Sequence, residues 1–231
     1  MAAVTTFSPA SRVGPAGGAL HDSDWHGGED GSGNWKPLPL RRYRTGIWFA
    51  LVPITMMFAA FGSAYIVRQG LGDDWQATGL PPMIWWNSAL LFASSLTMEM
   101  ARRKARILPL PGSEAAARIT PFTRVPAVRR WLLGTLLLGG LFVAGQVLLW
   151  SSLAERGIYM ASNPSSSFFY VLTVAHALHV CFGIAGLGSA TAATWKRLTP
   201  GGRTGVGVAA VYWHFMGGLW IYLVALLVFA P

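Results

Sequence analysis

The chain has 231 residues, of which 53 % are hydrophobic and only 12 % are charged, and its mean hydropathy is +0.43. A typical globular domain has about 25 % charged residues, so this composition indicates an integral membrane protein. The net charge of +9 does not indicate nucleic-acid binding, because the Lys and Arg residues lie in short links between apolar runs. The single cysteine, Cys181, excludes a disulfide framework and a paired-cysteine metal site.

Residues 1–42 are rich in Gly, Ser, Pro and Asp and contain no apolar stretch long enough for a signal-peptide core. We predict a disordered or extended cytoplasmic tail here, followed by a membrane domain over residues 43–231. The cluster HDSDWHGGED (21–30) contains histidines and carboxylates that could bind a divalent cation. Its Gly-rich frame favours a solvated tail instead.

Five apolar runs are long enough to cross a hydrocarbon layer of about 30 Å. They span residues 46–67, 83–101, 131–153, 168–194 and 208–229. Small residues recur within them, as in GTLLLGGLFVAG (134–145) and GIAGLGSA (183–190), and such residues let helices approach closely in lipid. We therefore predict an all-α fold, an integral membrane bundle of five transmembrane helices, with a kink at Pro53.

The basic residues predict the orientation, because Lys and Arg in short loops stay on the cytoplasmic side. Of the 18 Lys and Arg residues, 16 precede the first run or lie in the links after the second and fourth runs. Only Arg68 and Arg156 fall on the opposite side, together with Asp73, Asp74 and Glu155. The N-terminus is therefore predicted to be cytoplasmic and the C-terminus periplasmic.

Three histidines are candidate ligands for haem, copper or zinc, because histidines in membrane segments are rare and face the bundle interior. His176 and His179 share one face of a helix, and His214 lies in the fifth run. At about 1.5 Å per residue, His179 lies roughly 22 Å and His214 roughly 9 Å above the cytoplasmic end, a difference of about 13 Å. One metal ion does not bridge that gap.

We therefore interpret the histidines as buried, hydrogen-bonded side chains, with contact to a lipid headgroup or a partner helix as the alternative. A self-contained membrane haem protein, in which His214 pairs with His176 or His179, is a third and less favoured hypothesis. An i, i+3 pair supplies only two ligands, and no acidic residue or cysteine in another run completes a metal site.

Other polar residues inside the runs have structural interpretations. Glu99 is the only acidic residue in a predicted span, and we expect it to pair with Arg102 and Arg103 at i+3 and i+4. Asn87 and Gln146 are expected to hydrogen-bond between helices. The sequence contains no chain of acidic residues for a proton relay and no nucleotide or nucleophile motif, so we predict no catalytic, metal or cofactor ligand.

Three segments resemble the cytochrome c oxidase subunit III family. FFYVLTVAHALHVCFGIAGL (168–187) resembles a helix of that family with Phe-Phe, Thr and His-x-x-His-Val followed by Gly. VYWHFMGGLWIYL (211–223) resembles its last helix, with Tyr-Trp-His-Phe and a Trp six residues after the His. WWNSALLFASSLTMEMA (85–101) is similar to the helix that begins Asn-Ser and continues to Ser-Ser-x-Thr. The resemblance extends over residues 43–230.

The resemblance implies the five-helix bacterial form of subunit III, located in the bacterial inner membrane. Such a chain is a non-catalytic part of a haem–copper terminal oxidase, cytochrome c oxidase, in aerobic respiratory electron transport. It holds no haem or copper, which belong to partner subunits; it packs against catalytic subunit I in a complex with subunit II, and it binds phospholipid. Relatives also accompany quinol oxidases and nitric oxide reductases, and the sequence does not separate these partners.

Seven residues are candidates for a structural or lipid-contact role. They are Glu99, His176, His179, Lys196, Arg197, Trp213 and His214. We expect His176, His179 and Trp213 to pack within the bundle, and Lys196 or Arg197 to meet anionic headgroups on the cytoplasmic side. Three positions that are commonly acidic in the family are neutral here, within LVPITMM (51–57), at Leu149 and at Gly217. This difference favours packing and lipid binding over proton handling.

Overall fold

The structure, a computed structural model, describes residues 29–30, 34–35, 40–71, 75, 81–107, 125–195 and 200–229. The chain divides into two units, residues 1–39 and 40–231. In the first unit, β1 (Glu29–Asp30) and β2 (Asn34–Trp35) pair antiparallel, with Glu29 opposite Trp35. Most of the predicted tail, including residues 21–28 of its acidic cluster, lies outside the described residues.

The described part of the second unit folds into five α-helices, which confirms the predicted all-α class. They are α1 (Leu40–Leu71), α2 (Met83–Ile107), α3 (Val125–Glu155), α4 (Pro164–Ala193) and α5 (Pro200–Phe229). Within the described residues, four helical segments are long and apolar enough to cross a membrane: Thr45–Leu71, Val125–Glu155, Pro164–Ala193 and Gly202–Phe229. The chain is therefore a multi-pass membrane protein.

The helix α2 is not among these four segments, although it begins at the predicted residue, Met83. Its mean hydropathy is lowered by the four basic residues near its end, by Asn87 and Glu99, and by several hydroxyl side chains. Some of these hydroxyls bond to neighbouring helices: the Thr97 and Thr135 hydroxyls lie 2.9 Å apart, and Trp220 Nε1 donates to Ser88 Oγ at 2.9 Å. Some of the residues that make α2 less apolar therefore attach it to α3 and α5.

The helix α5 begins at Pro200, eight residues before the predicted membrane-crossing run of 208–229. The segment PGGRTGVG has the composition of a loop, but Pro suits the first position of a helix. Gly202 and Val206 are buried, so these first turns are packed. Arg203 Nη2 also donates to the backbone oxygen of Arg106, which ties the start of α5 to the end of α2.

Four of the helices form a closed ring. Each of α2, α3, α4 and α5 packs against two of the others, in the order α2, α3, α4, α5 and back to α2, while α1 packs outside the ring against α4 and α5. The helix α1 continues through Pro53 without interruption, so the kink stays a prediction. It carries several exposed apolar side chains, Trp48, Phe49, Val52 and Met56 among them.

Candidate functional site: a helix-packing junction

His176 lies at the centre of an aromatic cluster that also contains Phe58, Phe142 and Trp220. The ring centroids of Trp220, Phe142 and Phe58 lie 5.1, 5.9 and 6.5 Å from that of His176. Trp220 lies 5.1 Å from Phe142 in an edge-to-face contact, a geometry that stabilises aromatic pairs. His176 is fully buried. It therefore contacts side chains from α1, α3 and α5.

His179 is half-buried and faces α1. Its Nδ1 lies 2.7 Å from the backbone oxygen of Ala175 in its own helix, and its ring centroid lies 5.8 Å from that of Phe58. Tyr212 Oη donates to the backbone oxygen of His179 at 2.9 Å. The side chain is thus oriented by α4 and α1, while α5 holds its backbone.

His214 faces a different neighbour, α2. Its Nε2 lies 3.6 Å from Glu99 Oε2, and its side chain is 38 % exposed. Glu99 accepts hydrogen bonds from Arg102 Nε at 2.7 Å and from Arg103 Nε at 2.9 Å, which confirms the two predicted ion pairs. The approach of His214 was not predicted, because no local sequence pattern links α2 to α5.

The predicted depth difference of about 13 Å between His179 and His214 is wrong. Trp213 lies against Gly183 and Trp220 beside His176, so α5 places His214 level with residue 182 of α4. At about 1.5 Å per residue this leaves about 4.5 Å between their depths. The error follows from the late predicted start of α5. The two side chains are separated by direction instead, since His179 faces α1 and His214 faces α2.

Trp213 connects four helices from its position on α5, and only 2 % of it is exposed. A Cβ on Gly139 of α3 would lie 2.6 Å from Trp213 Cη2, and a Cβ on Gly183 of α4 would lie 3.5 Å from Trp213 Cε3. Its Nε1 donates to Ser94 Oγ of α2 at 3.0 Å. The indole ring therefore occupies space that these glycines leave open.

Three buried polar side chains differ from the expectation of hydrogen-bonded partners. Among the described residues, Asn87 Nδ2, both polar atoms of Gln146 and both ring nitrogens of His176 have no hydrogen-bond partner. Hydrogen bonds between helices come instead from hydroxyl and indole groups, as where Trp150 Nε1 donates to Thr173 Oγ1 at 3.1 Å. No sequence pattern signals this division, because each hydroxyl meets its partner through tertiary packing alone.

The arrangement is suited to helix packing rather than to ligation. Within the part of the chain that the structure describes, no three His, Cys, Asp or Glu side chains form a group that could hold a metal ion. His176 and His179 both contact Phe58 of α1, whereas His214 faces Glu99 of α2, so the geometry does not support a haem held between His214 and either of the other two. Lys196 and Arg197 lie outside the described residues, and their headgroup contact stays a prediction.

These features define a class of protein, a multi-pass helical membrane protein whose polar and aromatic side chains join helices. The family model for cytochrome c oxidase subunit III matches residues 122–230. This segment contains α3, α4 and α5, and with them all three histidines of the bundle.

Full-length relatives extend the match. The chain is 30 % identical over 187 residues to cytochrome c oxidase subunit 3 of Synechocystis sp., which covers 77 % of this chain and 71 % of that protein. It is 32 % identical over 183 residues to the probable cytochrome c oxidase subunit 3 of Mycobacterium leprae, covering 75 % and 81 %. The protein of Thermostichus vulcanus is 28 % identical over 190 residues, covering 79 % and 84 %. The chain belongs to the cytochrome c oxidase subunit III family.

Proposed function

We propose that this chain is the non-catalytic subunit III of a haem–copper terminal oxidase in a bacterial inner membrane. It packs against catalytic subunit I, in a complex that also contains subunit II, and the haem and copper belong to those partners. The observation that carries the proposal is the set of contacts that the histidines make in a chain of this family. His176 and His179 pack against aromatic rings, and His214 lies beside the Glu99 carboxylate, so each histidine contacts protein side chains of its own bundle.

The outer surface supports assembly in the membrane. The ring of α2 to α5 is joined by interior bonds such as those of Trp213 and Trp220, so its outward side chains are held on fixed helices. The helix α1 lies outside the ring and exposes Trp48, Phe49 and Met56. Apolar side chains on membrane helices are covered by lipid or by partner helices. This surface therefore stabilises the catalytic subunit by packing and binds phospholipid where no subunit covers it.

The charges support the proposed orientation. Arg203 bonds to the backbone of Arg106, and Arg129 Cζ lies 4.7 Å from the centroid of the Trp195 ring. The ends of α2 and α4 and the starts of α3 and α5 therefore meet at one basic end of the bundle. By the positive-inside rule this end faces the cytoplasm, which makes the C-terminus periplasmic.

The N-terminal tail and the link between α4 and α5 belong to the same cytoplasmic side of the membrane. Residues 1–42 form a cytoplasmic tail that precedes the membrane domain of residues 43–231. Lys196 and Arg197 lie in the link between α4 and α5, so they face anionic headgroups at the cytoplasmic surface, where each basic residue contributes about 1 kcal/mol.

Purification from native membranes tests the proposed function. A tagged chain is expected to co-purify with subunits that show haem absorbance, whereas the same chain expressed without partners is expected to show no Soret band. An unrelated multi-pass protein with the same tag is the control for non-specific capture. Absence of a haem–copper subunit from the purified complex, or a haem spectrum from the chain alone, would refute the proposal.

A further inference from the structure

Three polar side chains lie inside the helix ring, and we name them the polar layer: Asn87 on α2, Gln146 on α3 and His176 on α4. Asn87 is 2 % exposed, and Gln146 and His176 are fully buried. Five of their nitrogen and oxygen atoms have no hydrogen-bond partner among the described residues: Asn87 Nδ2, Gln146 Oε1 and Nε2, and His176 Nδ1 and Nε2. The packing role proposed above leaves these atoms unexplained.

The three side chains lie at one depth of the bundle. A Cβ on Gly145 would collide with Asn87 Oδ1, so Asn87 packs against the residue that precedes Gln146. One turn before Gln146, Phe142 contacts His176, with ring centroids 5.9 Å apart.

The α3–α4 contact continues on the other side of Gln146. One turn after it, Trp150 Nε1 donates to Thr173 Oγ1, which lies one turn before His176. Residues four apart share a helix face. Gln146 therefore faces α4 between these two contacts, next to His176.

Unpartnered buried polar atoms are costly, and folded proteins satisfy nearly all of them with protein groups or ordered water. A buried water makes about three hydrogen bonds to such groups. The polar layer supplies both donors and acceptors for such a water. Its two amide groups donate, Gln146 Oε1 accepts, and a neutral imidazole offers one donor and one acceptor nitrogen.

We propose that the polar layer binds internal water, which bridges Asn87, Gln146 and His176 across the centre of the bundle. The water gives each of the three helices a shared polar contact at one depth and so fixes their register. The proposal concerns the interior of this chain alone and does not depend on its partner in the membrane.

A substitution at Gln146 tests the proposal, because a dry layer and a hydrated layer predict opposite changes in the thermal unfolding midpoint of the purified complex. Gln146→Met keeps a similar shape and removes both polar atoms. If these atoms are unpartnered in a dry interior, the thermal midpoint rises, because their burial cost disappears. If water bridges them, the midpoint falls, because Asn87, His176 and the water lose a partner. The control is Leu149→Met, a fully buried position three residues further along α3. A midpoint for Gln146→Met equal to or above that of the control overturns the proposal.

Solid-state NMR separates bridging water from a direct contact between Asn87 and Gln146, which would also lower the midpoint. The assembled complex is labelled with ¹⁵N-histidine in lipid bilayers, and magnetisation is transferred from water protons to the ring nitrogens. The His176 signal is assigned by its loss in His176→Phe or by its shift in Gln146→Met, and the histidines of the proposed cytoplasmic tail, His21 and His26, are the positive control for water transfer. Transfer to a His176 nitrogen is expected. Transfer to the tail histidines with none to His176 means a dry layer and overturns the proposal.

Discussion

Gly139 and Gly140 are neighbours on α3 with different surroundings. A Cβ on Gly139 would lie 2.6 Å from Trp213 Cη2, whereas nothing lies within 4 Å of a Cβ on Gly140. The Trp213 ring is buried, and its Nε1 is held by Ser94 Oγ, so it cannot swing aside without losing that bond. A methyl group at Gly139 therefore forces a change in the packing between α3 and α5.

Gly139→Ala is expected to destabilise the protein, because overpacking a close-packed interior costs about 1–3 kcal/mol. Gly140→Ala is the matched control and is expected to be neutral or stabilising by up to about 1 kcal/mol, since alanine favours the helix. Chemical denaturation of the purified complex, followed by the unfolding midpoint, measures both. Equal effects in the two variants would contradict the position of Trp213.

The sequence predicts the small-residue stripe on α3 but not which glycine receives the indole. The spacing of Gly134, Gly139, Gly140 and Gly145 predicts close approach of helices, and the structure places a neighbour within 4 Å of a Cβ only at Gly139 and Gly145. Those neighbours, Trp213 and Asn87, come from other helices. Helix periodicity describes one helix at a time. It therefore does not show which of two faces lined by glycine packs against a neighbouring helix.

At the scale of elements, α2 is held in the ring by hydroxyl groups rather than by apolar contact alone. Ser94 and Ser88 accept hydrogen bonds from the indole nitrogens of Trp213 and Trp220, and Thr97 meets Thr135 of α3. In a segment away from water, a polar group without a partner is costly, so each such bond fixes α2 against a neighbour.

Ser94→Ala is expected to lower the free energy of unfolding by about 1–3 kcal/mol, because it leaves the buried Trp213 N–H without an acceptor. The adjacent Ser95 is half-buried in a groove between α2 and α5. Ser95→Ala is expected to change stability by at most about 0.5 kcal/mol, as is usual for positions outside such contacts. Thermal unfolding of the purified complex compares them. A loss at Ser95 as large as that at Ser94 would show that the indole bond contributes nothing.

The helix boundaries show where sequence reasoning at this scale fails. The helix α2 begins at Met83, the first residue of the second predicted run. The helix α5 begins at Pro200, eight residues before the fifth predicted run, because Gly202 and Val206 are packed although Gly and Arg suggest a loop. Tertiary burial overrides the low helix propensity of glycine there. The misplaced boundary then misplaces the depth of His214.

At the scale of the whole molecule, composition predicts the membrane class and the number of helices, and motifs predict the family. The order of helices around the ring is not predicted. Sequence patterns identify the apolar character of each run, but in lipid the neighbours are chosen by shape and by hydrogen bonds between helices. The bonds that close the ring, such as Trp220 to Ser88, join residues far apart in the sequence.

The two ends of the bundle differ in charge, and this predicts which residues are reachable from outside the cell. Arg103, on the basic end, is 67 % exposed, and Arg156, after α3 on the opposite end, is also exposed. In a Cys181→Ser background, which removes the one native thiol, Arg103→Cys and Arg156→Cys each provide a single target. Each substitution removes only one of the 18 Lys and Arg residues, so the charge bias that sets topology remains.

A membrane-impermeant maleimide applied to intact spheroplasts is expected to label Arg156→Cys and to spare Arg103→Cys. After the membranes are opened, both thiols are expected to react, which serves as the control that each is accessible. The reverse pattern would place the basic end outside and would contradict the proposed orientation. Positions 103 and 156 lie at opposite ends of the bundle, so a single orientation exposes only one of the two thiols to the outside. Labelling of both thiols in intact spheroplasts would therefore show that the chain inserts in both orientations.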